Sequence, residues 1–239
     1  PGTDTAARLS AGAAVDTALA VLGGRAAAGL ALVRPPGHHA ESVTAMGFCL
    51  INHAAVAAAA ARAAGAARVL VFDWDVHYGN GTAQIFESDP AVLYASIHRH
   101  DGGSFYPGTG HAAVVGTGPG AGTTVNVAWP GPGAGDAEYG AALAHVILPI
   151  AAEFAPDLVI LSAGFDAAAG DPIGGCRVSP ACFAGMAHAL AGVAPVAAIL
   201  EGGYNLTATA AGVAATARVL LGARPPRPDP AAMRAGASP

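Results

Sequence analysis

Short, unbroken apolar segments alternate with longer alanine-rich segments along most of this chain. Val69-Leu70-Val71-Phe72 is the clearest short segment, and its unbroken apolarity is typical of a strand that is buried on both faces. Strands that alternate with helices predict an α/β fold of three layers, in which right-handed crossovers place helices on both faces of a parallel β-sheet. The predicted strands are 30–33, 69–72, 92–97, 124–128, 158–162 and 196–200, and the predicted helices are 6–22, 51–64, 137–154, 180–193 and 207–221.

Length and charge limit what such a fold binds. The 239 residues suit one large α/β domain, and the net charge of −5 without any basic cluster predicts that the chain does not bind nucleic acid. Each apolar stretch is interrupted before it reaches membrane-spanning length, so no membrane contact is expected. Three scattered cysteines form neither a disulfide framework nor a CxxC zinc motif, which favours a cytoplasmic location. The sequence leaves the oligomeric state open.

The two ends of the chain carry less information than its middle. We expect the folded domain to cover residues 1–222, and the Pro-, Arg- and Ala-rich residues 223–239 to form a disordered tail. The first residues lack a charged segment followed by an apolar one, so no signal peptide is expected, and the missing initiator Met indicates a fragment. The bias toward Ala, Gly, Pro and Arg, with no Lys in the chain, favours a GC-rich bacterial genome.

Polar residues follow four of the predicted strands where each strand ends. They are His38-His39 in the loop after 30–33, Asp73 to His77 after 69–72, Asp166 after 158–162, and Glu201 to Tyr204 after 196–200. The carboxyl ends of parallel strands face the crevice in which α/β proteins bind their ligands. These side chains should therefore converge on one pocket.

Asp75 and His77 have the spacing of a metal-binding pair. Two residues that are two apart in extended chain point to the same side, and Asp166 can supply a third ligand. Three protein ligands leave room for water and substrate, as a catalytic zinc site requires, although Fe(II), Co(II) or Mn(II) also accept an oxygen-rich set. The alternative is that Asp73 and Asp75 cap the next helix, which the Asp-x-His pair alone would favour. The convergence of the other strand ends favours the metal.

The remaining polar groups also have two interpretations each. His38 and His39 belong either to an ordinary loop or, beside a metal, to general acid/base machinery. Tyr204 lies between Gly203 and Asn205, where a glycine turn can present the phenol inward, and the alternative is an ordinary surface tyrosine.

Seven motifs occur along the chain in an order that resembles class II histone deacetylases, closest to the tubulin-deacetylase type. The motifs are Pro35–Ala40, Gly47–Cys49, Asp73–His77, Gly79–Gly81, Ser96–Arg99, Ser162–Asp166 and Glu201–Leu206, and together they span roughly residues 5 to 222. The resemblance implies the arginase/deacetylase fold, a parallel sheet of about eight strands flanked by helices.

The resemblance also implies a catalytic centre with one Zn²⁺ per chain. Its metal ligands would be Asp75, His77 and Asp166, and its catalytic residues would be His38, His39, Tyr204, Asp73 and Asn80. Asp73 and Asn80 would bond to the tandem histidines, one imidazole would deprotonate water and one would protonate the departing amine. Tyr204 would help stabilise the tetrahedral oxyanion. Which histidine is the base stays open.

Further residues are implied for the substrate channel and for a second ion. Phe48 and Tyr106 would flank a narrow channel for the alkyl chain, and the Gly47 carbonyl would accept a hydrogen bond from the scissile amide. Ile173 stands near the position where polyamine-selective relatives carry an acidic residue. A structural K⁺ is expected near Asp73, Asp75, His77, Ser96 and Ile97.

The chain departs from the family pattern in three places. Tyr78 stands where the family usually has a second His after the ligand, and Tyr106 replaces a usual Phe. The chain also begins inside the family domain, without its first strand and part of the rim.

The leading hypothesis is hydrolysis of an acetyl-lysine type amide to acetate and free amine. An acetylpolyamine amidohydrolase is the nearest alternative, and the absence of an acid at Ile173 weighs against it. A dimanganese ureohydrolase would need another Asp shortly after His77, where Tyr78-Gly79-Asn80 stands. A non-catalytic docking module of the same fold is the last alternative, although every expected catalytic residue is present.

Overall fold

The computed structural model describes residues 2–226, and within them six strands form one sheet. All neighbouring strands are parallel, in the order β1-β6-β5-β2-β3-β4. The strands are β1 Ala28–Ala31, β2 Val69–Asp73, β3 Val92–Arg99, β4 Thr124–Trp129, β5 Leu158–Ala163 and β6 Val196–Leu200.

Seven α-helices surround the sheet among the described residues. They are α1 Thr3–Leu22, α2 His53–Ala63, α3 Asn80–Phe86, α4 Asp136–Ala142, α5 Leu148–Phe154, α6 Pro180–Ala191 and α7 Leu206–Leu220. A π-helical segment, Leu143–Ile147, joins α4 to α5. Side chains cap the N-termini of several helices. For example, Asn52 accepts a hydrogen bond from the Ala55 N–H at the start of α2.

Strand β2 shows how the two apolar layers form. Leu70 and Phe72 lie in the cluster that includes α4 to α6, whereas Val69 and Val71 lie in the cluster that includes α1, α2 and α3. All five residues of β2 are buried, because a strand with helices on both faces exposes neither set of side chains. The expected three-layer α/β fold is therefore confirmed.

The strand order explains how the polar residues come together. The four strands whose carboxyl ends carry polar residues, β1, β6, β5 and β2, are consecutive neighbours in the sheet. Their carboxyl ends lie along one edge because all pairs are parallel. The topology thus brings together residues that are far apart in sequence.

The structure differs from the sequence-based expectations in three details. The described residues form six strands, so the sheet of about eight that the family resemblance implied is wrong for this part of the chain. Helix α3 was not predicted, because seven residues starting Asn80-Gly81 are too few for a clear helical periodicity. The helix predicted over 137–154 contains the π segment, which directly precedes Leu148-Pro149; Pro149 has no N–H for the regular helical bond.

Helix α1 is long and apolar enough, by length and composition alone, to cross a membrane. In this fold one of its faces, which includes Ala14, Ala18 and Val21, is buried in the cluster that it shares with α2. Most of the predicted tail, residues 227–239, lies outside the described residues.

We predict that Phe183→Ala lowers the free energy of unfolding by about 3–5 kcal/mol, because the ring is fully buried and the surrounding core cannot collapse into its space. The Phe183 ring lies 5.4 Å from Trp74 and 5.0 Å from Phe165, centroid to centroid. Urea unfolding measures the loss. Leu9→Ala, at a side chain that is 70% exposed, is the control and should change stability by less than about 0.5 kcal/mol. Equal effects of the two variants would contradict this view of the core.

Candidate functional site

Asp75, His77 and Asp166 form a buried triad at the carboxyl edge of the sheet. One ligand atom from each residue lies within 4.8 Å of the other two. The His77 Nδ1 faces both carboxylates, at 3.1 Å from Asp75 Oδ1 and 3.0 Å from Asp166 Oδ2. Ligand atoms bound at about 2.0–2.2 Å around a tetrahedral ion lie about 3.3 Å apart. The donor set therefore fits a single small divalent cation such as Zn²⁺.

Close approach of the strand ends builds this triad. A side chain at Gly202 would come within 2.6 Å of Asp166 Oδ2 and 2.7 Å of Asp75 Oδ2, and a side chain at Gly164 would collide with the Asp75 carboxylate. The Gly202 N–H donates to Asp75 Oδ2 at 2.9 Å. Glycine at both positions leaves the space that the two carboxylates occupy.

Charge in the triad is balanced by a proton on His77. Burial raises the pKa of Asp166 to about 7, and the neighbouring charge of Asp75 adds to that rise. Burial alone would lower the pKa of His77, but its hydrogen bonds to Asp166 and Asp75 outweigh burial and raise the pKa to about 10. A metal cation at this place therefore has to displace the His77 proton.

The tandem histidines lie beside the triad and have different partners. His38 Nδ1 is 3.0 Å from Asp73 Oδ2, whereas His39 Nδ1 is 2.8 Å from Asn80 Oδ1. The two rings are 4.0 Å apart, and His38 Nε2 lies 3.8 Å from Asp75 Oδ1. Both pairs of partners were predicted from the resemblance, and the geometry brings them together.

These partners give the two imidazoles opposite protonation behaviour. Burial lowers the pKa of His39 to about 3, and the charge of His38 lowers it further. Burial also opposes the charge on His38, but the carboxylates of Asp75 and Asp73 outweigh it and raise the pKa of His38 well above its usual value. The surroundings therefore favour the charged form of His38 and the neutral form of His39.

Glu201 supports the loop that carries His38 and His39, which we call the histidine loop. The sequence did not reveal this role. Glu201 Oε2 accepts from the backbone N–H groups of Gly37 at 2.6 Å and His38 at 3.1 Å, and its Oε1 accepts from Ser162 Oγ at 3.2 Å. Burial raises the pKa of Glu201 to about 7 despite the charge of His38. Its place after β6 was the only signal, because nothing in sequence links it to residues 37 and 38.

Several aromatic residues lie beside the site. The Tyr106 ring meets the His39 ring edge-on at 5.0 Å, whereas Phe48 and Tyr204 line a cavity of about 240 Å³ whose lining includes Glu201 and Gly202 but no triad residue. The unpredicted neighbour is Phe105, which stacks on the His77 ring at 5.0 Å. The sequence could not separate two adjacent aromatics in an irregular loop.

The other predicted channel residues lie beside residues of the site. Gly47 has a positive φ of 55°, and a side chain there would run into the His39 ring. Its carbonyl oxygen accepts from the Cys49 thiol at 3.3 Å. Ile173 is half-exposed, in the loop whose next residue, Gly174, lies against the Asp166 backbone. The channel role of these residues remains a prediction.

The helix-capping alternative for the aspartates does not describe the structure. Asp73 Oδ1 accepts from the Asp75 N–H at 3.0 Å, and the next helix, α3, begins only at Asn80, after Gly79. Both carboxylates are fully buried. They serve the site rather than a helix start.

The residues predicted for K⁺ lie on neighbouring strands. Asp73 and Ser96 are paired in register between β2 and β3, and both are fully buried, as is Ile97. The Ser96 hydroxyl is 2.8 Å from His98 Nδ1. Asp75 and His77, which the prediction also includes, belong to the triad, so the potassium site stays a prediction.

Comparisons with known proteins find matches over most of this chain. Residues 1–220 match the family model described as "Histone deacetylase domain". Histone deacetylase 15 of Arabidopsis thaliana is 56% identical over 92% of this chain and 40% of its own length. Human "Histone deacetylase 7" is 50% identical over 93% of this chain and 24% of its own length, and human "Polyamine deacetylase HDAC10" is 49% identical over 93% and 34%.

A solved structure also matches closely. The crystal structure of the HDA15 HD domain has a TM-score of 0.90 and 56% identity, covering 91% of this chain and 64% of that chain. The chain spans between about a quarter and two fifths of the length of the curated relatives named above. Those relatives come from a plant and from human, so they give no support to the expected bacterial origin.

We predict that the chain binds one Zn²⁺ and that Asp166→Asn weakens this binding by more than about 100-fold, since changing even an outer-shell partner costs 10–100-fold. Metal content after dialysis and a competition titration with a chelator measure the effect. Asp136→Asn is the matched control. Asp136 is a buried aspartate that accepts from Ser179 and is not a member of the triad. Equal metal loss in both variants would contradict the site.

We also predict that zinc binding releases protons and tightens by at least about tenfold per pH unit between pH 6 and 8, and more steeply below pH 7, where Asp166 also carries a proton. The sign follows from His77, whose pKa of about 10 keeps it protonated throughout this range, so that the incoming cation competes with a proton. Calorimetry in buffers of different ionisation enthalpy counts the protons. A binding heat that is independent of the buffer would contradict the prediction.

Proposed function

Because the chain belongs to the histone deacetylase family, we propose that it hydrolyses an acetyl-lysine type amide to acetate and the free amine. The proposed cofactor is one Zn²⁺ held by Asp75, His77 and Asp166. The supporting observation is the buried Asp-His-Asp triad with two imidazoles beside it. The substrate would be an acetylated lysine peptide or a small acetylated amine.

When bound, Zn²⁺ supplies Lewis acidity toward the acetyl carbonyl and lowers the pKa of water. The tandem histidines move the protons. One imidazole would accept a proton from water, and one would donate a proton to the departing amine. Asp73 and Asn80 hold the Nδ1 atoms of His38 and His39, which leaves the Nε2 atom of each ring for these transfers.

Tyr204 is the proposed hydrogen-bond donor to the oxyanion. Burial raises the pKa of its phenol, and the charges of Asp75 and Asp166 raise it further, so the hydroxyl stays protonated at any working pH. The protonated phenol of Tyr204 can donate a hydrogen bond to the negative charge that develops on the carbonyl oxygen.

We predict that Tyr204→Phe lowers kcat on an acetyl-lysine peptide by about 10²–10³-fold, the usual effect of losing one oxyanion donor. Zinc content should not change, because the phenol is not a ligand. Tyr139→Phe is the matched control, since it removes a buried hydroxyl that has no hydrogen-bond partner among the described residues. An unchanged rate in Tyr204→Phe would show either that Tyr204 is not the oxyanion donor or that the activity comes from a contaminant, and the second case would favour the docking-module alternative.

A polyamine substrate is the second candidate, because human "Polyamine deacetylase HDAC10" is 49% identical to this chain. We favour acetyl-lysine because Ile173, a half-exposed residue next to Gly174, has no charge to pair with a distant ammonium group. Turnover of acetyl-lysine peptides against N-acetylpolyamines decides between them. Faster turnover of the polyamines would overturn the preference.

We predict that Ile173→Glu shifts the ratio of kcat/KM values toward N-acetylpolyamines by about 1.4- to 5-fold, because an exposed ion pair contributes about 0.2–1 kcal/mol. Ile173→Gln, which has the same length as Glu and no charge, should leave the ratio unchanged. Equal shifts in both variants would show that charge at this position does not select the substrate.

The identity of the metal is also part of the proposal. One equivalent of Zn²⁺, rather than Fe(II), Co(II) or Mn(II), is proposed to restore activity to metal-free protein, with K⁺ as a second ion near Asp73 and Ser96. Two Mn per active chain would instead support a dimanganese ureohydrolase.

A further inference from the structure

Asp171 joins two loops that each approach a triad residue, one through Gly174 beside Asp166 and the other through Gly202 beside Asp75. The first, which we call the wall loop, comprises residues 171–174 and carries Ile173. The second, which we call the tyrosine turn, comprises residues 202–205 and carries Tyr204. Asp171 is buried, although its neighbours Gly170 and Pro172 are exposed. A buried carboxylate at this place requires partners.

Both carboxylate oxygens of Asp171 accept hydrogen bonds from backbone N–H groups. Oδ1 accepts from Ile173 at 2.9 Å and Gly174 at 3.1 Å, within the wall loop. Oδ2 accepts from Tyr204 at 2.8 Å and Asn205 at 3.3 Å, in the tyrosine turn. One carboxylate thus holds two loops that lie more than 30 residues apart in sequence.

The tyrosine turn depends on such anchors because it begins with two glycines. Gly202 is fixed by its N–H bond to Asp75 Oδ2, but Gly203 has a φ of 145° and carries no side chain to limit its rotation. The bond from the Tyr204 N–H to Asp171 is therefore the first fixed point after Gly203. Where the Tyr204 backbone lies decides where its hydroxyl points.

The wall loop is itself held firmly, so it can serve as a reference. A side chain at Gly174 would collide with the Asp166 carbonyl oxygen, which shows how closely the loop lies against a triad residue. The Gly174 carbonyl also accepts from Arg99 Nη1 at 2.9 Å. Asp171 transmits this fixed position to the tyrosine turn.

We propose that Asp171 is a positioning residue, which sets the Tyr204 hydroxyl relative to the triad by accepting four backbone N–H groups from both loops. It touches neither metal nor substrate and acts only through Tyr204 and the wall loop. The proposal rests on the proposed function, since it assigns to Asp171 the placement of the oxyanion donor.

Four N–H donors need four acceptor positions, which a carboxylate has and an amide lacks. Asp171→Asn keeps the size of the side chain but replaces one oxygen with an NH₂ group that faces N–H donors. One of the two loops therefore loses its anchor.

The test is a double-mutant cycle of Asp171→Asn and Tyr204→Phe, measured on the full chain with one Zn²⁺ and an acetyl-lysine peptide. We expect Asp171→Asn to lower kcat by about 10- to 100-fold, since misplacement by about 1 Å costs up to 10². KM should change by less than about threefold, because the contacts that bind the substrate equally in its ground state and in the transition state are retained. In the Tyr204→Phe background the further loss in kcat should be less than about threefold, since the group that Asp171 positions is already missing.

Asp136→Asn, at the buried aspartate that accepts from Ser179, is the matched control and should leave kcat unchanged. Zinc content and the urea midpoint are recorded for each variant. A loss of kcat that is equally large with and without the Tyr204 hydroxyl, or one that tracks zinc loss, would overturn the positioning role.

If Asp171→Asn does not fold, the cycle is repeated with Asp171→Glu, which keeps the charge but displaces the oxygens, and the same non-additivity is expected. Failure of both variants to fold would make Asp171 a folding residue and overturn the proposal. Absence of turnover by the wild-type chain would refute the proposed function itself. Wild-type turnover with additive losses would refute only the role of Asp171.

Discussion

Two fully buried carboxylates meet one imidazole at the carboxyl edge of the sheet, and the rest of the site depends on how their charge is neutralised. Asp75 and Asp166 are both inaccessible to solvent, and burying an unpaired carboxylate is strongly unfavourable. Without a metal, the proton on His77 balances part of the charge, which is why the pKa of His77 rises to about 10 against the effect of burial. A divalent cation replaces that proton at the same place. A proton on His77 and a bound metal cation are therefore alternative ways to offset the charge of the two buried carboxylates.

The parallel sheet satisfies this requirement through strand order and through glycine. β2 and β5 are direct neighbours, with Asp73 opposite Ser162, so the residues that follow them leave the sheet side by side. Neighbouring strands lie about 4.8 Å apart, a separation that two carboxylates can bridge only if nothing fills the space between them. Gly164 and Gly202 keep that space free. The two glycines beside the acids are thus sterically required for the triad to form.

Much of this architecture could be predicted from the sequence because its signals are local. Short, mainly apolar segments marked all six strands, and Asp75 and His77 were recognisable as a pair two residues apart. Helix α3 is too short to show a period, and the adjacent Phe105 and Tyr106 differ in role only through the path of their loop. Glu201 and Asp171 were missed for a different reason. Each accepts backbone N–H groups from a loop far away in sequence, and such acceptance leaves no pattern in the donor residues, since every residue except proline has an N–H.

Glu201 and Asp171 solve the same physical problem for two different loops of the site. The histidine loop and the tyrosine turn are irregular segments, and their backbone N–H groups have no strand or helix to bond to. A carboxylate accepts several such groups at once, so one side chain fixes a loop that its own secondary structure cannot fix. The cost is additional negative charge beside Asp73, Asp75 and Asp166. The raised pKa of Glu201, about 7, shows that cost directly, since burial and the charge of Asp73 oppose its ionisation while His38 favours it. The positive charge of His38 therefore also stabilises the ionised form of Glu201, the acid that holds the histidine loop in place.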